Sequence, residues 1–384
     1  MKEKVCEVFE KCGGCKYLDK TYKETLDIKT TYVKELVKKE LKNNIKVKDT
    51  YGMESPYNYR NKGKYVFKTN RTSEVKMGFY EEGTHKVIEN NKCAIQNNKI
   101  NEVAQYIYEL IKKYKISIYN EDTRKGFLRH LVIRYGVHTN ELMIIFVTTD
   151  SKMYKRNEII NEIVTKYHNV KTIVQNINTK ENNAVLGNKN IKLYGSGFIV
   201  DTLKDLKFKI SPSSFYQVNP IQTVNLYDIA INEANITKND TVFDLYSGIG
   251  TISLFVSKKA KKVYGIEIVK EAVKDAIENA KLNHITNANF YAGKVENVLP
   301  RLIQRENRAD VVFVDPPRSG LDKITIDTLM KLQPKKIVYI SCNPDTLVEN
   351  LKTLRNKYNI EAIQPVDMFP FTAHVECVAV LHSK

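Results

Sequence analysis

Short apolar runs alternate with helical patterns through the second half of this chain, and that alternation limits its fold more than any other feature. Strands are expected at Thr241, Lys262, Asn289, Asp310 and Ile337, with helices up to Asn235, after Gly250 and from Lys270 to Leu282. Strands separated by a helix run parallel, because the chain crosses back over the sheet before starting the next one. The region from residue 211 is therefore read as an α/β, doubly wound sheet. The last two runs, Ile360 to Val366 and His374 to Leu381, stand too close for such a crossover and are expected as a hairpin at one side.

The ends of these strands carry chemistry. Ile337-Val-Tyr-Ile-Ser-Cys342-Asn-Pro344 reads as a buried strand that delivers a thiol to the sheet edge, since Pro344 cannot continue a ladder. Asp310-Val-Val-Phe-Val-Asp315-Pro-Pro-Arg318 ends a neighbouring strand on a carboxylate. Asp244-Leu-Tyr246-Ser-Gly248-Ile-Gly250-Thr251 runs from strand through a glycine turn into a helix, and Val263-Tyr-Gly-Ile-Glu267 ends the next strand on an acid. Glycines let the backbone approach a ligand, and an acid at the second strand end accepts hydrogen bonds from two ribose hydroxyls. A third, phosphate-binding glycine is missing, which points to a nucleotide cofactor without a pyrophosphate. Glu376 lies inside the apolar run Val375-Glu-Cys-Val-Ala-Val-Leu381, where an acid is costly unless paired or functional. Side chains alternate along a strand, so Cys377 is expected to face away from it, into the core.

The N-terminal half has a different character. Cys6, Cys12 and Cys15 stand in Cys-x5-Cys-Gly-Gly-Cys, with Cys93 much later. Four thiolates suit a tetrahedral zinc or an iron–sulfur cluster, and the uneven spacing favours the cluster, in a structural or RNA-positioning role. Leu26, Val33, Val37 and Leu41 recur at helical spacing, giving an amphipathic helix from about residue 20 to 42. From Ser55 to about Leu206 strand-like and helical runs mix in an α+β region. It carries interleaved basic and aromatic residues suited to phosphate and base contacts: Tyr57, Tyr59, Arg60, Lys62, Phe127, Arg129, His130 and Arg134. Two regions are expected: residues 1–210, with the cysteines and the α+β RNA-binding part, and residues 211–384, with the catalytic sheet. Helix 20–42 is a candidate to pack on the latter.

The chain of 384 residues has a net charge of +17, 61 Lys and Arg against 44 Asp and Glu, which suits a polyanionic partner such as nucleic acid. Neither a secretory signal nor an apolar run near twenty residues occurs, so a cytoplasmic protein without a membrane partner is expected. There, six cysteines are more readily ligands or nucleophiles than disulfides.

Taken together, Cys-x5-Cys-Gly-Gly-Cys, Ser214-Phe-Tyr-Gln-Val-Asn219, the Asp244–Thr251 turn, Asp315-Pro-Pro-Arg318, Ser341-Cys-Asn-Pro344 and His374-Val-Glu-Cys-Val378 resemble the RNA uracil-5 methyltransferase family, which makes 5-methyluridine in tRNA and 23S rRNA. The resemblance covers almost the whole chain. It implies a Rossmann-like, seven-stranded methyltransferase sheet with a C-terminal antiparallel strand, S-adenosyl-L-methionine as cofactor, and a [4Fe-4S] cluster as in the rRNA-type members. Many members begin with a small oligonucleotide-binding barrel, whereas this chain starts almost at the cysteine loop. A 23S rRNA uridine is the expected target, tRNA the alternative, and a monomer is expected.

The chemistry asks for what these motifs supply. C5 of uracil is a poor nucleophile until a thiolate adds to C6, and a base must later remove the C5 proton. By resemblance Cys342 is the nucleophile and Glu376 the base. Glu267, Gly248 and Gly250 are expected at the cofactor, and the resemblance adds Gln217, Tyr246, Thr251 and Asp315. An RNA cytosine-5 methyltransferase would carry Asp-Ala-Pro-Cys where this chain has Asp315-Pro-Pro-Arg318. A non-catalytic RNA-binding factor would not need both Cys342 and Glu376.

Overall fold

The structure, a computed structural model, describes residues 5–42, 45–70, 74–90, 92–180, 184–306 and 308–384. Two large sheets organise it. The first runs, edge to edge, through Ala288–Ala292, Lys262–Glu267, Thr241–Leu245, Val311–Val314, Lys336–Ser341, Glu376–Ser383, Tyr358–Val366 and Lys46–Val47. Every neighbouring pair is parallel except those of Glu376–Ser383, which is antiparallel on both sides. The Rossmann-like sheet expected from the sequence is present, and the terminal hairpin has inserted its second strand next to Lys336–Ser341. An eighth strand, Lys46–Val47, was not foreseen. Two residues have no period to read, and it forms by pairing parallel to the edge strand at Ala362 and Ile363.

The helices of this region have local causes. Pro220–Ala234 starts on Asn219, whose side chain accepts the Gln222 N–H, with Pro220 at its first position. That start is later than the sequence suggested, because Ser211–Val218 is an irregular segment. Helix Lys270–Leu282 matches expectation at both ends. Pro344–Leu354 likewise starts on a capping asparagine, Asn343, followed by proline. These helices and Thr251–Ser257, Val295–Glu306 and Lys323–Leu332 bury both faces of the sheet.

The second sheet orders Val87–Glu89, Val75–Tyr80, Lys62–Thr69, Leu128–Tyr135, Leu142–Thr148, Val170–Ile177 and Lys189–Gly195. Strand Leu142–Thr148 is buried on both faces. Met143, Ile145 and Val147 join the core that reaches the first sheet, while Leu142, Ile144 and Phe146 pack under helices Asn98–Lys113 and Arg156–Lys166. Its unbroken apolar run is what a strand enclosed on both sides requires. The hairpin of Ile199–Leu203 and Leu206–Ile210 fills the seam between the two sheets.

Helix Tyr22–Leu41 opens on a capping box, Thr21 with Glu24, and lays Val33, Val37 and Leu41 into the same core as Tyr339, Leu351 and Leu381 of the first sheet region. Lys29, on the same helix, forms a buried ion pair with Asp367 at 2.6 Å.

Candidate active site

In a parallel sheet the C-terminal strand ends share one edge, and here that edge collects Tyr246, Glu267, Asp315 and Cys342. The reversed strand brings its first residue, Glu376, to the same edge. Ser341 is paired with Cys377, so the next step along the antiparallel seam sets Cys342 opposite Glu376. Cys377 is fully buried in the core on the other face, as the alternation of strand side chains requires.

The turn that presents the thiol is tied to the Asp-Pro-Pro-Arg segment. Asn343 caps its helix through Asp345 N–H at 3.2 Å and donates to the Arg318 carbonyl at 3.1 Å. Arg318 in turn meets His374 at 2.7 Å. Cys342, Arg318 and His374, with Lys29, Tyr17 and Tyr32, line a cavity of about 460 Å³. Burial and the nearby carboxylates Glu376 and Asp315 push the Cys342 thiol up to about 11, against the opposing pull of Arg318. Glu376, 4% exposed, is raised to about 8 by burial and then by Asp315. Asp315 is raised by burial to about 7. The edge therefore holds a half-buried thiol among carboxyl groups that exchange protons near neutrality.

The glycine turn forms a second, adjoining part. Gly248 has φ +54° with open space where a Cβ would stand, and Gly250 has φ +84° with a Cβ position 2.9 Å from the Phe290 ring. Both conformations favour glycine. Glu267 accepts the Gly248 N–H at 3.1 Å through one oxygen and the Val269 N–H at 2.8 Å through the other. This fixes the carboxylate beside the open turn with lone pairs to spare. Thr251 pairs with Tyr227 at 3.1 Å, and Gln217 lies close enough to hydrogen-bond the same Tyr227 hydroxyl. Tyr246 opens the turn with a left-handed backbone, φ +66°, and its hydroxyl pairs with Thr325 at 3.3 Å.

A nucleoside-type cofactor fits this place on two grounds: the glycine cradle is open, and two buried polar atoms, Ser247 Oγ and Asp244 Oδ1, have no partner of their own. Neither residue was singled out from the sequence. Asp244 offered the same signal as Glu376, an acid inside an apolar strand; burial raises it to about 7, and its other oxygen takes the Ser253 hydroxyl at 2.5 Å. Tyr227, on the buried face of its helix, gave no signal at all.

The four cysteines of the N-terminal half do gather. Cys6, Cys12, Cys15 and Cys93 line one cavity of about 250 Å³ together with Arg60, Lys62 and Lys64. Burial raises Cys93 and Cys12, opposed in part by N–H groups that the Cys93 sulfur takes from Ile95 and Gln96 and the Cys12 sulfur from Gly14. Without a cation the thiols oppose one another's ionisation, and burial with these neighbours lifts Cys15 to about 12. Among the described residues no three His, Cys, Asp or Glu converge as ligands of a single ion.

Of the basic and aromatic residues expected at RNA, Arg129 and Arg134 are buried and serve the fold. Arg129 donates to the carbonyls of Asn178 and Lys180, and Arg134 to those of Pro212 and Ser214. Tyr59 is buried too, bonded to the Pro370 carbonyl. Among the described residues no helix is long and apolar enough to cross a membrane.

Residues 21–384 match the model of the tRNA (uracil-5-)-methyltransferase family. Proteins named as RNA methyltransferases in Staphylococcus aureus and Bacillus cereus are each 44% identical to the chain, covering 99% of it and 84% and 83% of their own lengths. Among solved structures, the Pyrococcus abyssi tRNA (uracil-54, C5)-methyltransferase in complex with S-adenosyl-L-homocysteine is 28% identical with a TM-score of 0.77, over 96% of this chain and 85% of that one. A thiol, a buried acid and a cofactor turn on one sheet edge agree with these likenesses: the chain belongs to the tRNA (uracil-5-)-methyltransferase family, S-adenosylmethionine-dependent enzymes that methylate uracil C5 in RNA.

Proposed function

We propose that this protein methylates C5 of a specific uridine through a covalent adduct between Cys342 and C6 of the base. The observation that carries the reading is the position of Cys342, one step beyond the Ser341–Cys377 pair and so opposite Glu376, beside a cavity roomy enough for an extruded base. The Cys342 thiolate adds to C6, and the electrons of the C5=C6 bond move onto the uracil carbonyl. When bound, S-adenosylmethionine would supply an electrophilic sulfonium methyl group: C5 takes the methyl as the enolate electrons form the new C–C bond, and S-adenosylhomocysteine would leave with the electron pair of the broken S–CH3 bond. Glu376 then accepts the C5 proton, the C–H electrons re-form C5=C6, and the C6–S bond breaks to return the thiolate. In this reading Glu267, Gly248, Gly250, Gln217, Tyr246, Thr251 and Asp315 line the cofactor pocket, and Asp315, beside Cys342 and Glu376, also meets the uracil ring.

Residues 1–210 are the RNA-recognition and cysteine region in this reading, and 211–384 the catalytic region. A [4Fe-4S] cluster fits the four thiols better than zinc, since they line a cavity together with Arg60, Lys62 and Lys64, where burial and the neighbouring positive groups push Lys62 down to about 6, a setting that a centre of net negative charge would relieve. The cysteine cavity favours 23S rRNA as target, because the resemblance attaches the cluster to rRNA-type members. A tRNA uridine is the second reading, favoured by the tRNA uracil-54 named for the similar Pyrococcus abyssi protein. Mapping 5-methyluridine in total RNA with and without this protein tests both. Loss of one site in 23S rRNA supports the first, loss from tRNA the second, and an unchanged map contradicts both.

A further inference from the structure

The segment Asp367–Val375 links the two antiparallel strands and delivers Glu376 to the edge. Its first half is held by elements far away in sequence. Asp367 N–H bonds the Tyr51 carbonyl at 2.9 Å, Lys29 spans Asp367 and the Phe369 carbonyl, and Tyr59 holds the Pro370 carbonyl. The next carbonyl, that of Phe371, accepts two successive backbone N–H groups, Lys16 at 2.8 Å and Tyr17 at 3.0 Å. These are the residues directly after Cys15.

Phe371 is itself unusual. It is a non-glycine residue with φ +64°, a left-handed conformation that persists only where the surroundings hold it. What holds it is the cysteine region. The ring is 1% exposed, stacked on Tyr57 at 4.8 Å and tilted on Tyr22 at 5.6 Å. It shares a small core with Met53, Tyr59 and Ile95, against which Cys15 and Cys93 pack. Two of the four thiols thus touch the core that fixes Phe371, and a third link runs through the backbone after Cys15. Three residues beyond Phe371 stands His374, on Arg318, and two beyond that stands Glu376.

We propose that Phe371 is a positioning residue that couples the ordered cysteine loop to the placement of Glu376 opposite Cys342. An assembled four-thiol centre fixes the loop, the loop's two amides and the aromatic core hold Phe371 left-handed, and that turn sets the approach of residues 372–376 to the sheet edge. Loosening the loop frees Phe371 to relax to negative φ and shifts the base, while the thiol, fixed by its own strand and helix cap, stays in place. The inference rests on the roles of Cys342 and Glu376 proposed above.

The test separates the two halves of the reaction. Phe371→Ala, Cys15→Ser and Lys16→Pro, which deletes one amide donor without touching the buried core, are incubated with methyl-labelled S-adenosylmethionine and total RNA from cells lacking the protein. Glu376→Gln serves as reference. If Phe371 positions the base, each variant binds cofactor normally, loses turnover about a hundredfold, as expected of a catalytic group displaced by about an ångström, and accumulates labelled RNA bound to protein on a denaturing gel. Phe371→Ala should keep the metal content of the wild type. Turnover and adduct falling together in Phe371→Ala and Lys16→Pro, or unchanged turnover in both, overturns the proposal, and circular dichroism melts identify a variant that is merely unfolded. A labelled adduct in Glu376→Gln but in neither of those two rejects this inference alone. Its absence from Glu376→Gln rejects the base assignment, and the inference with it.

Discussion

Cys342 stands one step beyond the Ser341–Cys377 pair, opposite Glu376, at the seam where parallel strands give way to the reversed strand Glu376–Ser383. Strands running in one direction present only their C-terminal ends at the ligand edge. A strand entering from the opposite direction adds its first residue to that edge, so a group from the chain's last strand meets a thiol thirty-four positions earlier. In the reading proposed here, the reversal puts the groups for addition and elimination at neighbouring backbone positions.

Removing the thiol separates chemistry from binding. Cys342→Ala should abolish 5-methyluridine formation while leaving cofactor and RNA affinity within about twofold, because the sulfur acts only by bonding to C6. Binding isotherms and methyl incorporation measure the two. Substantial residual turnover contradicts covalent catalysis.

The pH profile follows from the raised groups. Glu376 must be ionised to accept a proton and is pushed up to about 8, while the Cys342 thiol is pushed up to about 11, so kcat should climb from pH 6 to pH 9 without a falling limb from either group. Stability runs the other way. A carboxyl whose folded value lies above its unfolded value of about 4.3 contributes stability that is complete below that value and is lost as pH rises through about 8. Glu376→Gln should flatten the decline of Tm between pH 5 and pH 9. An equal decline in both proteins contradicts the assignment.

The thiol cavity predicts a coloured protein. Anaerobic purification should yield brown protein with iron and sulfide, and Cys6→Ser, Cys12→Ser, Cys15→Ser or Cys93→Ser should each bleach it. A colourless protein with one zinc per chain contradicts the cluster.

Lys29 and Asp367, 2% and 0% exposed, make a buried pair whose loss leaves one charge uncompensated. Lys29→Met should cost about 3–5 kcal/mol in urea unfolding. Adding Asp367→Asn should recover a large part of it, and a cost below about 1 kcal/mol, the range of an exposed pair, contradicts this.

The sheet and its edge were legible because period and strand ends are local signals. Helix Lys270–Leu282 could be read to the residue from its apolar spacing, and Cys342, Asp315 and Glu267 from the motifs that end their strands. What escaped was set by distant partners. Lys46–Val47 is a strand only because the edge at Ala362 is open to it, and Arg129 and Arg134 read as RNA contacts but bond buried carbonyls. The hydroxyl of Tyr246 pairs with Thr325, a partner no local pattern names.

The central claim is best tested by stalling the reaction between its halves. Glu376→Gln leaves thiol addition and methyl transfer intact and removes the base that ends the cycle, so turnover should fall by roughly 10²–10⁴-fold. Incubated with unmodified RNA and methyl-labelled S-adenosylmethionine, it should give a slow band on a denaturing gel, labelled and absent from the Glu376→Gln, Cys342→Ala double variant. Normal turnover by Glu376→Gln, or an adduct without label, would contradict the assignment of Glu376 as the base that releases 5-methyluridine from Cys342.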